Sequence, residues 1–350
     1  MFKFALGAIL TLLFLTHSSA ALAREEGERA GAPKKSVSKT RVKRKDSHHA
    51  VALESHDKLV KRVILVHGKR KVVYQRLSVA AAVPAVPSMG DLAGLNLTHD
   101  LLDLKSNVAL VMDQSNSEVL FEKNSGVALP IASITKLMTG LIVVQARQDM
   151  DEVLTVTDED IDREKHTSSR LKVGARLTRA NMLHIALMSS ENRAASALGR
   201  SFPGGLPAFV EAMNAKAAEL GMMETHYVDA NGLSSRNVAS ARDLAKLAMV
   251  AHQEPLLRQY STDTRYIVAP AGKPMQFANT NRLVGNPEWE IGLQKTGFIN
   301  EAGRCLVMQA IIQGRAVIMV FLDAKDKSAR AADAGRMRKW IEALRPPGMS

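Results

Sequence analysis

The stretch Pro130-Ile-Ala-Ser-Ile-Thr-Lys-Leu-Met138 begins an apolar segment that continues to about Val144. Its apolar residues have helical spacing, so the sequence predicts a helix here. Ser133 and Lys136 are three residues apart, which places their side chains on one face of that helix. A serine hydroxyl is a weak nucleophile until a base removes its proton, and a lysine with a lowered pKa can be that base. The pair therefore predicts a serine acyl-transfer site.

Two further motifs follow in a fixed order, Ser190-Glu-Asn192 and Lys295-Thr-Gly297. The S-x-x-K spacing alone is weak evidence, because it also occurs at Ser36, Ser55 and Ser169. The interpretation therefore depends on the three motifs together, since they supply a nucleophile, a base, a second hydroxyl and a second cation.

The second motif is predicted to lie in a turn between two helices. From there Ser190 can relay a proton from Lys136 to a leaving amine, and Asn192 can hold both Lys136 and a substrate carbonyl group. The alternative is that Ser190 and Asn192 only cap a helix. Glu191 is expected to point outward, without a catalytic role.

The third motif is predicted to lie on a strand, with Lys295 and Gly297 on one face and Thr296 on the other. A substrate can then bind along this strand, with its carboxylate held by Thr296 and Lys295 and with the Phe298 N–H completing an oxyanion hole. Lys295 is also the candidate second cation that lowers the pKa of Lys136. The alternative is that Gly297 only marks a bulge in an edge strand.

Period-two and helical patterns together predict an α+β fold. It contains an antiparallel five-stranded sheet covered by the first and last helices, with an all-helical part beside it. The predicted strands are Val108–Asp113, Glu118–Glu122, Ile291–Phe298, Gly303–Gln313 and Ala316–Asp323. The predicted helices are 130–144, Arg179–Met188, Ala194–Arg200, Leu206–Leu220, Ala241–Ala251 and Lys327–Leu344.

The first 23 residues resemble a secretory signal. Lys3 precedes the apolar run Ala5–Leu15, and Ala21-Leu-Ala23 is a small-residue cleavage site. An uncleaved anchor is the alternative, although the run is shorter than a membrane span requires. The single cysteine, Cys305, lies in an apolar run and is expected to be a buried, inert thiol.

Positive charge is concentrated after this signal. Residues 24–76 hold 16 Lys and Arg against six Asp and Glu, within a chain of formal net charge +12. Residues 24–94 are predicted to be a basic, largely disordered extension and linker. Within it, residues 59–79 can form short strands or pack on a neighbour. The folded domain is predicted at 95–345, followed by a tail at 346–350.

The basic residues of 24–76 indicate electrostatic contact with an anionic wall or membrane surface, and a solvated linker is the alternative. Nucleic acid is disfavoured as a partner, because Tyr74 is the only aromatic residue among these charges and export removes the usual target.

The three motifs in this order resemble the active site of penicillin-binding proteins and serine β-lactamases. Three further stretches resemble the low-molecular-mass D-alanyl-D-alanine peptidases, and most of all their DD-endopeptidase branch: Asp229-Ala-Asn-Gly-Leu233, Ser240-Ala-Arg-Asp-Leu244 and Phe277-Ala-Asn-Thr-Asn281. The resemblance implies the serine β-lactamase/DD-peptidase fold and a periplasmic, penicillin-sensitive peptidase without a cofactor, which cleaves cross-linked peptidoglycan peptides and is acylated by β-lactams.

The resemblance also implies the roles of the site residues. Ser133 would be the nucleophile and Lys136 the base, with Ser190 and Asn192 assisting. Lys295 and Thr296 would bind the carboxylate.

Three alternative functions remain open from the sequence, and a fourth, a zinc peptidase, is disfavoured. A DD-carboxypeptidase would share every motif. A serine β-lactamase would need a deacylating glutamate, for which Glu159 and Glu164 are the candidates. A non-catalytic wall-binding protein would not need the intact motifs, and a zinc peptidase would need clustered ligands that the scattered histidines do not provide.

Overall fold

In this computed structural model, the described residues are 57–66, 69–78, 86–326 and 328–344. The described residues fall into two compact units, the first formed by residues 57–66 and 69–78 and the second by residues 86–326 and 328–344. The predicted signal peptide 1–23, the basic stretch 24–50 and the tail 346–350 lie outside the described residues.

The first unit contains one antiparallel hairpin. Strand β1 (Asp57–Val66) pairs along its whole length with β2 (Lys69–Ser78). β-branched residues such as Val63 and Val72 favour this extended conformation. Strands are one of the two alternatives expected for residues 59–79, and the hairpin agrees with that alternative.

The second unit is larger and mixes strands with helices. Its strands are β3 (Ser106–Asp113), β4 (Val119–Lys123), β5 (Leu129–Pro130), β6 (Val153–Thr155), β7 (Arg176–Thr178), β8 (Val238–Ala239), β9 (Arg265–Val268), β10 (Met275–Ala278), β11 (Glu290–Ile299), β12 (Gly303–Ile312) and β13 (Arg315–Ala324). Its helices are α1 (Met89–Leu92), α2 (Thr135–Gln145), α3 (Arg179–Met188), α4 (Asn192–Arg200), α5 (Gly205–Glu219), α6 (Ala241–Gln253), α7 (Pro255–Thr262) and α8 (Ala329–Ala343).

The five long strands form one antiparallel sheet in the order β11-β12-β13-β3-β4. The predicted five-stranded antiparallel sheet is therefore confirmed. β11 is an edge strand, so one side of its backbone is not paired within the sheet. No helix within the described ranges combines the length and apolar content that a bilayer crossing requires.

Side chains of the sheet alternate between two cores, as the pleat requires. Val108 and Leu110 of β3 face the larger core, which continues into the helices α2 to α7. Ala109 and Val111 face the smaller core, where Met337 and its neighbours on α8 pack. Strands buried on both faces are apolar almost throughout, which explains the continuous apolar runs of β12 and β13.

One prediction about the layers is wrong. The helix that carries Ser133 was expected to cover the sheet, but α6 and α7 make the main contacts with its inner face, and α2 packs chiefly against other helices. Helix α7 and the β9–β10 hairpin were not predicted. Pro255 stands in the first turn of α7, where a proline is favourable because a backbone N–H at that position would have no acceptor within the helix.

The folded unit begins earlier than the predicted residue 95. Ser88 Oγ donates to Asp323 Oδ2 at 2.8 Å, and Asn107 Nδ2 donates to the same oxygen at 2.8 Å. This buried carboxylate joins the segment before α1 to β3 and β13. The sequence did not indicate this contact, because the residues lie more than 200 positions apart.

Helix α8 is fixed to β3 by the fully buried Asp333. Its Oδ2 accepts the Ser106 N–H at 2.8 Å and the Ser106 Oγ–H at 2.7 Å, and both of its oxygens accept the Lys105 N–H at 3.1 Å. A buried N–H group without its acceptor is costly, so this carboxylate helps to hold α8 against the smaller core.

We expect Asp333→Asn to lower the free energy of unfolding by about 2–3 kcal/mol, because the amide nitrogen would face two donors, the Lys105 N–H and the Arg336 guanidinium, in place of the oxygen that now accepts from both. Glu342→Gln is the matched control on the same helix. Its half-exposed pair with Arg338 contributes under about 1 kcal/mol. Denaturant unfolding of both variants measures the difference. Equal losses would contradict the assigned role of Asp333.

Candidate active site

The three motifs meet in one cleft of about 440 Å³. Ser133 lies in a short 3₁₀ turn at 132–134 that leads into α2, and Ser190 lies between α3 and α4. Asn192 is the first residue of α4, and Lys295 lies on the edge strand β11. These residues come from four separate elements, so the site exists only when the two layers pack together.

Lys136 is fully buried, and its Nζ has three oxygen neighbours. It donates to Ser133 Oγ at 2.8 Å, to Asn192 Oδ1 at 2.8 Å and to the Asn231 carbonyl oxygen at 2.5 Å. None of these groups is charged. Burial lowers the pKa of Lys136 to about 7, against the opposing charges of Asp229 and Glu191.

These contacts determine what a neutral Lys136 can do. A neutral amine has two N–H groups and one lone pair. Asn192 Oδ1 and the Asn231 carbonyl oxygen can only accept, so they use both N–H groups. The lone pair then remains for the hydroxyl proton of Ser133, which is the geometry of a general base.

Lys295 is the second buried ammonium group of the cleft. Its Nζ donates to Ser190 Oγ at 2.9 Å and to the Thr296 carbonyl oxygen at 2.8 Å. Burial lowers its pKa well below the usual value, and the charges of Lys136 and Arg330 lower it further. For Lys136, in contrast, burial is the cause of the lowered pKa, rather than the second cation that was expected.

The backbone before Ser133 is strained and enclosed by two glycines. Ala132 has a φ of 49°, which is unusual for a residue with a side chain. A Cβ atom on Gly232 would lie 2.0 Å from the Ala132 carbonyl oxygen, and one on Gly297 would lie 2.8 Å from the Ile131 carbonyl oxygen. The glycine of the third motif therefore lets β11 approach the backbone of Ser133.

Ser190 also has a positive φ, 63°, so each of the first two motifs contains or adjoins a strained backbone position. Its neighbour Glu191 does not point outward as predicted. Glu191 is buried and accepts the Ser169 hydroxyl at 2.5 Å and the Arg193 N–H at 3.3 Å. It caps α4, and its charge raises the pKa of Lys136.

Lys295 and Thr296 were expected on opposite faces of their strand, but both side chains reach the cleft. Thr296 Oγ1 lies 2.7 Å from Thr280 Oγ1 in the cleft wall, while Lys295 Nζ reaches Ser190 in the same cleft. The flexible side chain of Lys295 explains the departure from the period of two. Phe298 is 47% exposed at the entrance, with the Arg304 guanidinium over its ring.

Several cleft residues were missed from the sequence. Asn231 supplies a carbonyl oxygen to Lys136, and the Asp229 carboxylate holds this loop by accepting the Asn231, Gly232 and Ser234 N–H groups. The resemblance included this stretch but gave its residues no role. Backbone groups leave no signature in side-chain patterns. The β-lactamase candidates Glu159 and Glu164 line a separate cavity.

Comparisons with known proteins show the family of this chain. A family model described as D-alanyl-D-alanine carboxypeptidase matches residues 96–326. A D-alanyl-D-alanine endopeptidase of Pseudomonas aeruginosa is 47% identical over 272 residues, covering 77% of this chain and 86% of that protein. A D-alanyl-D-alanine endopeptidase of Escherichia coli is 42% identical over 277 residues, covering 78% of this chain and 89% of that protein.

Solved structures share the fold. A DD-transpeptidase of Streptomyces superposes with a TM-score of 0.64 at 26% identity, covering 69% of this chain and 98% of that chain. A penicillin-binding protein of Listeria monocytogenes, in its cefotaxime-bound form, gives a TM-score of 0.61 at 29% identity, covering 69% of this chain and 98% of that chain. The chain therefore belongs to the D-alanyl-D-alanine carboxypeptidase family of serine peptidases.

Proposed function

We propose that this protein hydrolyses D-alanyl peptide bonds in cross-linked peptidoglycan through an acyl-enzyme on Ser133. The observation that carries this proposal is the 2.8 Å contact between Ser133 Oγ and Lys136 Nζ, a buried amine whose pKa is about 7. At neutral pH a large fraction of that amine is unprotonated, and its lone pair faces the nucleophile.

Acylation can be derived from these positions. Neutral Lys136 takes the proton as Ser133 Oγ attacks the carbonyl carbon. The Ser133 and Phe298 N–H groups stabilise the oxyanion, which is reasonable because β11 approaches the Ser133 backbone at Gly297. Ser190, held by its contact with Lys295, donates its hydroxyl proton to the leaving amine and takes a proton from protonated Lys136, which is thereby neutral again. A water molecule then attacks the ester, with Lys136 again as base.

The substrate carboxylate is proposed to bind Thr296 and Lys295. Thr296 lines the cleft together with Arg282, Arg304 and Arg330, whose guanidinium groups make this region electropositive. The Lys295 Nζ contacts Ser190 Oγ and the Thr296 carbonyl oxygen. The unpaired edge of β11 offers main-chain groups to an extended peptide, so the substrate can bind as an added strand.

We favour the endopeptidase reaction over the carboxypeptidase reaction. Both reactions cut after D-alanine, and they differ in the leaving group on the other side of the bond. The relatives named endopeptidases are 47% and 42% identical, whereas the carboxypeptidases from Bacillus subtilis and Salmonella typhimurium are 29% and 30% identical. The proposed substrate is therefore the D-alanine–diaminopimelate cross-link.

β-Lactams are proposed to acylate Ser133 and to remain bound. A structural neighbour is described with cefotaxime bound, which supports this proposal. Rapid hydrolysis of the adduct would need a base that activates water on the ester, and Glu159 and Glu164 line a cavity that does not include Ser133. This placement disfavours the β-lactamase alternative.

The substrate proposal is tested by digestion of purified cross-linked muropeptides and separation of the products. We expect loss of dimers without release of free D-alanine, and we expect Ser133→Ala to abolish both this reaction and the penicillin adduct seen by mass spectrometry. Ser36→Ala, another serine with a lysine three residues later, is the control and should retain both. Free D-alanine as the main product would refute the endopeptidase assignment, and an undiminished adduct in Ser133→Ala would refute the nucleophile.

The base is tested by the pH dependence of penicillin acylation. The rate should rise with pH up to about 7 and then level off, because only unprotonated Lys136 accepts the proton. The charge of Glu191 raises this pKa, so Glu191→Gln should move the rising limb to lower pH. Glu219→Gln, an exposed change on α5, should leave the limb in place. If the rising limb of the pH–rate profile stays at the same pH in Glu191→Gln, Lys136 is not the base that the profile reports.

We also propose that the protein acts in the periplasm and that its basic residues 24–76 bind an anionic wall or membrane surface. The support is the excess of ten positive charges in this segment, which gives a strong but salt-sensitive attraction. A variant with Lys43, Arg44 and Lys45 changed to Glu should co-sediment less with isolated peptidoglycan at low salt. Binding that is equal for both proteins, or insensitive to salt, would contradict the tether.

A further inference from the structure

A second cavity, of about 500 Å³, adjoins the catalytic cleft. Thr280, Arg282 and Arg330 line both spaces, so they are continuous. Ser133 lines only the cleft, and Thr280 contacts Thr296. The second cavity therefore lies beyond the end of the cleft where we place the substrate carboxylate, on the leaving-group side of the scissile bond.

The walls of this cavity present hydrogen-bond donors that lack partners. Asn281 is 5% exposed, and its Nδ2 has no hydrogen-bond acceptor among the described residues. Its orientation is set by Oδ1, which accepts the Leu283 N–H at 3.1 Å. A buried donor without an acceptor costs about 1–3 kcal/mol, and because Asn281 lines this cavity, an acceptor on a bound ligand is the partner that we assign to it.

Arg282 adds a positive charge beside that donor. Within the described part of the chain, its guanidinium makes no ion pair and no side-chain hydrogen bond. The wall holds two guanidinium groups, those of Arg282 and Arg330, against one carboxylate, Asp326, whose Oδ1 accepts the Ser328 N–H, the Ser328 hydroxyl and the Ala329 N–H. The cavity therefore favours an anionic group.

We propose that this cavity is a subsite for a second carboxylate, carried by the peptide on the leaving-group side of the cross-link, with Asn281 Nδ2 and the Arg282 guanidinium as its ligands. This inference rests on the proposed function. When the leaving group is a single D-alanine, it carries only the carboxylate assigned to Thr296 and Lys295. A cross-linked stem peptide continues further and carries additional carboxylates.

The subsite gives a physical reason for endopeptidase selectivity. A volume of about 500 Å³ is in the range of small-ligand pockets, so it can hold part of a second peptide. Binding energy gained there is available only to the longer leaving group. It should therefore raise kcat/KM for the cross-linked dimer relative to an acyl-D-alanyl-D-alanine substrate.

The test compares kcat/KM of each variant for two substrates, the cross-linked dimer and acyl-D-alanyl-D-alanine. Arg282→Gln removes the charge, and we expect the dimer-to-dipeptide ratio to fall about fivefold, as for an exposed ion pair. Asn281→Asp keeps the acceptor for the Leu283 N–H but places a negative charge at the ligand position, so the ratio should fall further. Arg147→Gln, an exposed arginine after the far end of α2, is the control and should not change the ratio.

A second dimer substrate, in which the leaving-side carboxylates beyond the scissile residue are converted to amides, tests whether Arg282 acts through those carboxylates. With this substrate, Arg282→Gln should have no further effect, because the partner of the guanidinium is absent. An equal loss for the acidic and amidated dimers, or an unchanged ratio in both Arg282→Gln and Asn281→Asp, would overturn the subsite. Penicillin acylation of the unmodified protein is measured in parallel, so a failure of the proposed function would appear there instead.

Discussion

The active site depends on the burial of two lysine side chains away from water. Lys136 and Lys295 are both fully buried, and within the described residues neither has a carboxylate in salt-bridge contact. Charging an amine in such surroundings is unfavourable, and this lowers both pKa values. The protein surrounds each ammonium group with neutral oxygens rather than with carboxylates. As a result, one of the amines can act as a base at neutral pH.

The rest of the fold maintains that burial. The sheet edge β11 carries Lys295 to the cleft, and the helical layer carries Ser133, Lys136 and Asn192. The layers approach closely because Gly297 and Gly232 have no side chains where the strained backbone at Ala132 passes. Strain of this kind persists only when the surrounding packing enforces it. The glycine of the Lys295 motif thus has a structural role in addition to any contact with substrate.

Much of the fold could be predicted from the sequence, because the pattern of apolar residues within each element indicates its type and position. The five sheet strands and the helices α3, α5 and α6 have strong periodic patterns, so their positions were predicted within a few residues. The contacts of the site could be predicted less well. Glu191 was placed outward because a turn has no period, and the Asn231 carbonyl oxygen has no side-chain signature. Arg282, which lines the cleft, and Asn281, which lines the adjoining cavity, are brought there only by the folding of the chain.

The central claim is that burial makes Lys136 an unprotonated base near neutral pH. Its most direct test is an NMR titration of the Lys136 Nζ in protein carrying ¹⁵N-labelled lysine side chains, with Lys136→Arg to assign the signal. This account predicts a midpoint of about 7. A midpoint that stays near the ordinary lysine value of 10.5 would contradict it.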